Sequence, residues 1–317
     1  RPFPARVVLT RLGKDPSPAN KEIGIASAKP EKIRGQYTVP DETIWSDYRE
    51  GWFSCGYGPF RRVFGASSEA IRRMVGPTTE RFVTMFEEAA SLAEVDSWLK
   101  GLSHKALENR PDEKAALGFL LELLGDDLLP NQITVDRVDS DGLWLRDRNG
   151  LPMSWSEMSD GYRSALALLT DIVRHLFKWF GSNRVMGRDR EGKLFIKRSG
   201  VVLIDEIDAH LHPEWQRQIG FWLTRHFPKI QFLVTTHSPL VCQAADANGL
   251  FVLPEPGSDQ LPRALTKEEF LEVISSRSDT ILRSSAFGLA NTRSELSVDS
   301  RAEYAKLMAK KRAGLKL

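Results

Sequence analysis

Little in these 317 residues points to an oxidising or membranous setting. There are two cysteines, Cys55 and Cys242. They lie far apart and lack metal-ligand spacing, so neither a disulfide framework nor a thiolate zinc site is expected. Both read as buried thiols in a reducing compartment, by default the cytoplasm. No apolar run reaches the ~18 residues of a membrane-spanning helix, and no signal-peptide pattern follows Arg1. Neither sign of charge dominates: 44 basic residues face 42 acidic ones, a net charge of +2. Bulk charge therefore argues for neither nucleic acid nor a membrane surface. One stretch leans basic, with Arg301, Lys306, Lys310, Lys311, Arg312 and Lys316 facing only Glu303. It reads as a solvated helix end, with a nucleic-acid or partner contact as the alternative.

What is there suits a globular chain: 41% hydrophobic and 27% charged residues. The length fits two domains, or one large α/β domain with an inserted lobe. Residues 1–50 carry few structural signals. The aromatic Gly51–Tyr57 reads as a short strand, closed by the turn-forming Gly56–Pro59, with Arg61 and Arg62 just beyond. From Ser67 to Leu129 the apolar spacing becomes helical. Val83, Phe86, Ala90 and Leu92 form one set and Leu117, Leu120, Leu121 and Leu124 another, which predicts a helical lobe. Residues Gln132–Asp139 and Gly142–Arg146 alternate as a hairpin, and a long helix follows Gly161 to about Phe180. Val201–Ile204 is a β-branched run suited to a parallel strand buried on both faces. A helix over Pro213–Phe227 and a second such strand, Gln231–Thr235, complete a βαβ unit. A Pro-rich connection beyond Leu253 leads into a helical region at about 266–314.

Three segments carry chemistry. Val201–Ile204 runs into Asp205-Glu206, which sets adjacent carboxylates at the C-terminal edge of a parallel sheet, where open α/β folds bind ligands. Carboxylates so placed can hold a hard cation and polarise a water. The next strand ends in Thr235-Thr236-His237-Ser238-Pro239, and parallel pairing would set His237 beside Glu206. Upstream, Met158-Ser159-Asp160-Gly161-Tyr162-Arg163 opens the long helix. Its hydroxyl and free N–H groups can meet an anion, although a plain helix cap uses the same geometry. His210 and His212 could chelate as His-x-His, but no third ligand is evident nearby.

In this order the three segments resemble the signature, Walker B and switch histidine of ABC-type ATPases, particularly the soluble SMC, RecF and Rad50-like branch. Ser159-Asp160-Gly161 is similar to the Ser-Gly-Gly signature core, with Asp160 in place of the middle glycine. Ile207–His212 is similar to the D-loop, ending in His212 where SMC proteins and transporters usually carry Asp. That variant is similar to AAA-like ATPases of bacterial defence systems, including the Septu type. The resemblance is strong over about 150–245 and weaker over 50–150. It implies ATP and Mg²⁺ as cofactors, with Asp205 the metal ligand and Glu206 and His237 catalytic. Ser159, Gly161 and Asp208 would be nucleotide-binding. It also implies a head-to-tail dimer in which Ser159 and Gly161 serve the partner's ATP.

The family's P-loop, Gly-x₄-Gly-Lys-Ser/Thr, is missing from these residues. Gly187–Leu194 imitates its spacing, but Leu194 cannot ligate a metal and the string lies on the wrong side of the signature; a charged hairpin loop is expected. The expectation is that the P-loop belongs to an N-terminal segment not included here, with a degenerate ATPase kept as a scaffold as the alternative. No glutamine can be assigned to the family's Q-loop, whose neighbourhood falls near Gly56–Arg62. The expected fold is α/β, an ABC-ATPase-like, mostly parallel sheet with a helical lobe and a helical C-terminal extension. Residues 1–65 would form part of the sheet, 66–130 the lobe, 131–255 the signature and Walker B region, and 256–317 the extension. The expected process is antiviral or DNA maintenance, with a partner nuclease and DNA as candidate partners, since no nuclease constellation occurs in the chain. A transporter ATPase and a non-hydrolysing scaffold are the rival readings.

Overall fold

The computed structural model describes residues 53–59, 61, 63, 80–87, 90, 92–255 and 257–312, together with the backbone of four strand fragments before residue 39. Those fragments, β1 (Val7–Val8), β2 (Ile25–Ala26), β3 (Glu31–Ile33) and β4 (Gln36–Thr38), pair as two small antiparallel ribbons. The chemistry-bearing segments hang on a three-stranded parallel sheet. Its middle strand β11 (Gly200–Ile204) lies between β5 (Phe53–Tyr57) and β12 (Ile230–Val234). Ile204 is level with Tyr57 on one side and Val234 on the other, so all three strands end at one height.

Helix α4 (Asp160–Phe180) explains why the core is continuous. Every residue from Ser164 to Phe177 is buried, so this helix runs through the interior and not along its surface. Helix α6 (Pro213–His226) is one-sided, burying Trp215, Ile219, Trp222 and Leu223 at helical spacing. The lobe consists of α1 (Val83–Phe86), α2 (Glu94–Leu107) and α3 (Pro111–Gly125), the last two packed on a meander of β6 (Thr134–Asp139), β7 (Gly142–Arg146) and β8 (Pro152–Ser154). Short α5 (Ser182–Val185) leads to a hairpin of β9 (Met186–Arg188) and β10 (Leu194–Ile196). The false P-loop string is the tip of that hairpin, where Lys193 pairs with Glu191 at 2.6 Å. Beyond α7 (Pro239–Cys242), strands β13 (Phe251–Val252) and β14 (Arg263–Ala264) form a ribbon that sequence periodicity did not reveal. Helices α8 (Lys267–Ser275), α9 (Ser278–Arg283) and α10 (Glu295–Arg312) complete the C-terminal region, with a small core of its own around Leu265, Val273 and Ile281.

Three expectations need correction. Strand β12 is not buried on both faces: Leu233 is 50% and Val234 37% exposed. A continuous apolar run reports compatibility with burial, while coverage depends on what packs above and below. Second, the apolar set over 83–92 does not form one buried helical face, since Phe86 is 78% exposed and closes a helix of four residues. Ala90 and Leu92 reach the core from irregular chain. Third, the two thiols differ. Cys55 is fully buried and burial pushes its thiol up, whereas Cys242 is half-buried and is pushed up to about 11.

Helix α4 buries charge as well as hydrocarbon. Asp171 receives Tyr57 Oη at 2.9 Å and Arg174 Nε at 2.7 Å, with His175 Nε2 at 3.2 Å. Arg174 also reaches Glu80 at 3.0 Å and Glu94 at 3.1 Å, tying the lobe to the sheet through one guanidinium. Burial alone would raise the Asp171 carboxyl, but His175 and Arg174 outweigh it and hold the group well below the usual carboxylate range. Asp171 is thus ionised in the fold at pH values where a free carboxylate has begun to protonate. Its contribution is complete above the ordinary value of 3.8 and lost as pH falls through the lower folded value. Asp171→Ala should destabilise the protein by about 3–5 kcal/mol, because it removes a buried carboxylate shared by Tyr57, Arg174 and His175. Asp171→Asn should flatten the loss of stability below about pH 4 in acid titrations of urea unfolding. Acid profiles that superimpose on wild type would show that Asp171 is not the sensitive group.

Candidate active site

The site is assembled where β5, β11 and β12 stop. After Ile204 the chain cannot continue as a strand, and residues 205–210 fold as successive turns, with Ala209 N bonded to Glu206 O at 2.9 Å and Leu211 N to Asp208 O at 3.0 Å. Glu206 has φ +48°, a left-handed conformation that costs a non-glycine residue about 1–2 kcal/mol. Strain of this kind persists only where neighbours over-determine it.

The neighbours are the ends of the two flanking strands. Asp205 N bonds Tyr57 O at 2.8 Å, and Ile207 N bonds Thr235 O at 3.0 Å. Thr235 works twice: its hydroxyl accepts from Glu206 N at 2.8 Å and donates to Oδ1 of Asp205. Thr236 donates to Oδ1 of Asp208, which also accepts from the backbone N of His237 at 3.3 Å. Ser238 continues the chain of bonds, donating to Gln216 Oε1 on α6 at 2.7 Å. The structure therefore gathers Asp205, Glu206, Asp208 and His237 at one edge of the sheet. Glu206 and the His237 ring remain exposed there, while Asp205 and Asp208 are half-buried. Among the described residues no three His, Cys, Asp or Glu side chains converge on a cation, so Mg²⁺ would rest on the single carboxylate of Asp205 together with water and substrate oxygens, a mode this ion commonly uses. Thr235 engages only one oxygen of Asp205, which leaves the second available to a ligand.

Gly161 lies against the 207–211 loop, two residues beyond Ser159. Ser159 occupies the N-cap position of α4, but its hydroxyl makes no capping bond, so plain capping does not account for that side chain. Gly161 has a definite packing reason: a Cβ there would lie 2.0 Å from the backbone oxygen of His210. His212 is absorbed locally as the N-cap of α6, its Nδ1 accepting from Glu214 N at 3.3 Å, with Pro213 at the first helical position.

Sequence reasoning gave no role to Arg61, which holds the backbone of both adjacent carboxylate residues. The guanidinium is buried and donates to Asp205 O and Glu206 O, both at 2.8 Å, and to Gly58 O at 3.3 Å. Burial lowers it to about 10, against the opposing pull of Asp205, Asp208 and Glu206, so it stays cationic at neutral pH. The available signal was its place after the Gly56–Pro59 turn at a strand end. Thr235 and Thr236 were likewise visible beside the histidine, without an assigned role.

A parallel sheet carrying carboxylates, two threonines and a histidine at adjoining strand ends, with a long helix opening beside them, has its polar groups where open α/β folds bind ligands. The chain belongs to the family described as "AAA domain, putative AbiEii toxin, Type IV TA system", whose pattern matches residues 14–243. It is similar to the Septu protein PtuA of Bacillus mycoides (strain KBAB4), at 30% identity over 246 residues, 76% of this chain and 30% of that protein. It is also similar to the "Retron Ec83 probable ATPase" of Escherichia coli, at 39% identity over 119 residues, 38% of this chain and 20% of that protein. The matched part thus spans less than a third of either relative. Among solved structures the likeness is slight: an SMC ATPase structure aligns with 51% of this chain and 89% of its own at 17% identity and a TM-score of 0.36, too low to bear on function. The likeness read from the motifs, to AAA-like ATPases of the Septu kind, is borne out.

The contact at Gly161 makes a direct prediction. The opposing atom is backbone, so Gly161→Ala must displace either the start of α4 or the 207–211 loop. It should destabilise the protein by about 1–3 kcal/mol, the usual range for overpacking, and speed amide exchange around His210. Unchanged unfolding midpoints and unchanged exchange would show that the two segments have slack between them.

Proposed function

We propose that these residues form the signature, Walker B and switch-histidine portion of an ABC-type ATPase of antiviral defence. The observation that carries this reading is the locking of Asp205-Glu206 to Thr235-Thr236-His237 across adjacent parallel strands, with Glu206 and the His237 ring left facing solvent. In this reading Asp205 would hold Mg²⁺, and Asp208 orients the loop beside it through Thr236 and the His237 N–H. When bound, the metal supplies charge neutralisation for phosphoryl transfer. Glu206 accepts a proton from the attacking water, and the His237 ring hydrogen-bonds the γ-phosphate. Ser159 and the first N–H groups of α4 offer an anion site to ATP held by a second copy, which makes a head-to-tail dimer the working unit. Names of the relatives support antiviral defence as the setting, and a partner nuclease acting on DNA remains our inference from the Septu likeness.

Glu206→Gln in the full-length protein tests the assignment. ATP binding should persist and the nucleotide-bound dimer should accumulate on gel filtration, while hydrolysis falls by ~10²-fold or more. Turnover at the wild-type rate in that variant would remove Glu206 from the chemistry.

A second expectation concerns residues 1–317 alone. Glu206 and His237 can act only on a phosphate that is held in place, and no Gly-x₄-Gly-Lys-Ser/Thr occurs in this sequence to hold it. Purified as such, the chain should show no measurable Mg-ATP turnover. Activity that disappears in Glu206→Gln would mean that other residues hold the phosphates, and Lys193→Ala would then be the next variant to assay.

A further inference from the structure

Arg61 stands out because it is a buried cation that spends its donors on main-chain oxygens while three carboxylates lie around it. Its two terminal nitrogens hold consecutive carbonyls, those of Asp205 and Glu206, each at 2.8 Å. Glu206 O is also the acceptor for Ala209 N, so the guanidinium braces the first turn of the 205–210 segment from outside. The residue so braced is the one with φ +48°. Behind the guanidinium, the backbone oxygen of Arg61 accepts from the Ser164 hydroxyl on α4 at 2.7 Å, in a buried bond.

We propose that Arg61 is the positioning residue for the Glu206 carboxylate: its guanidinium fixes the left-handed turn at Glu206, and its own carbonyl ties that turn through Ser164 to the helix opening at Asp160. The inference rests on Glu206 being the proton acceptor for its kinetic consequence, but its structural part stands apart from that reading. A planar guanidinium suits this place, since its fork presents donors from two nitrogens to two successive carbonyls, whereas an ammonium gathers its three donors on one nitrogen at the end of a shorter stem. Because Arg61 binds main chain, it aims Glu206 without neutralising the carboxylate that must take up a proton.

Arg61→Lys and Glu206→Gln in the full-length protein, assayed side by side, separate the possibilities. The lysine variant should lower kcat by about 10²-fold, the scale for small misplacement of a reacting group, with KM and nucleotide Kd within about threefold of wild type. Amide exchange at Glu206–Ala209 should rise about tenfold while the centre of α4 stays protected. Ser164→Ala removes only the grip on the Arg61 carbonyl and should lower kcat about two- to tenfold at unchanged KM; it serves if the lysine variant does not fold. Wild-type kcat in both Arg61→Lys and Ser164→Ala, or equal losses of kcat and nucleotide binding, would overturn the proposal. So would unchanged exchange over 206–209, a readout independent of turnover. If Glu206→Gln itself hydrolyses ATP normally, the fault lies in the catalytic reading, and the exchange measurement alone decides the role of Arg61.

Discussion

The parallel pairing of Gly200–Ile204 with strands on both sides is the constraint on which the rest depends. Because Ile204 is level with both Tyr57 and Val234, the residues that follow each strand leave the sheet together. A register shift of one residue on either side would reverse which side chains face the core. It would also separate Thr235 from Asp205 and Arg61 from the Glu206 carbonyl. Backbone pairing, which is indifferent to side-chain identity, thus decides whether the polar groups meet at all. The side chains then lock what the pairing has brought near, through two threonine hydroxyls and one guanidinium.

Helix α4 extends that order across the molecule. Its N-terminus touches the 207–211 loop and its middle passes through the apolar core. Asp171 and Arg174 link Tyr57 on the sheet with Glu80 and Glu94 at the lobe. Buried ion networks are poor sources of net stability compared with hydrocarbon of equal volume. Their geometry is demanding, however, and here it specifies how the lobe sits against the sheet.

Much of this was legible in the sequence. Val201–Ile204 followed by two acids, and a histidine at the end of the next apolar run, gave the strand, its direction and the carboxylate edge. The long helix after Ser159 and the 134–146 hairpin were equally visible, because their periodicities are strong and their turns conventional. What escaped was relational. Arg61 looks like any arginine after a turn until the Asp205 and Glu206 carbonyls are placed beside it. The short helix ending at Phe86 imitates a longer one, since Ala90 and Leu92 happen to reach the core at helical spacing. Exposure of Leu233 and Val234 could not be read from an apolar run, because the sequence of a strand does not say what covers it. The missing phosphate-binding loop was the easiest observation of all, being a question of motif alone.

The approach of Gly161 to the His210 carbonyl bears on how motion could pass through this region. Two segments separated by a cushion of side chains can shift independently, since rotamers take up the difference. Here backbone faces backbone, and neither element has a compressible part at the point of contact. A rotation of α4 about its axis would therefore press directly on the 207–211 loop. The pair behaves as a gear mesh without backlash, made by the one residue type that contributes no tooth.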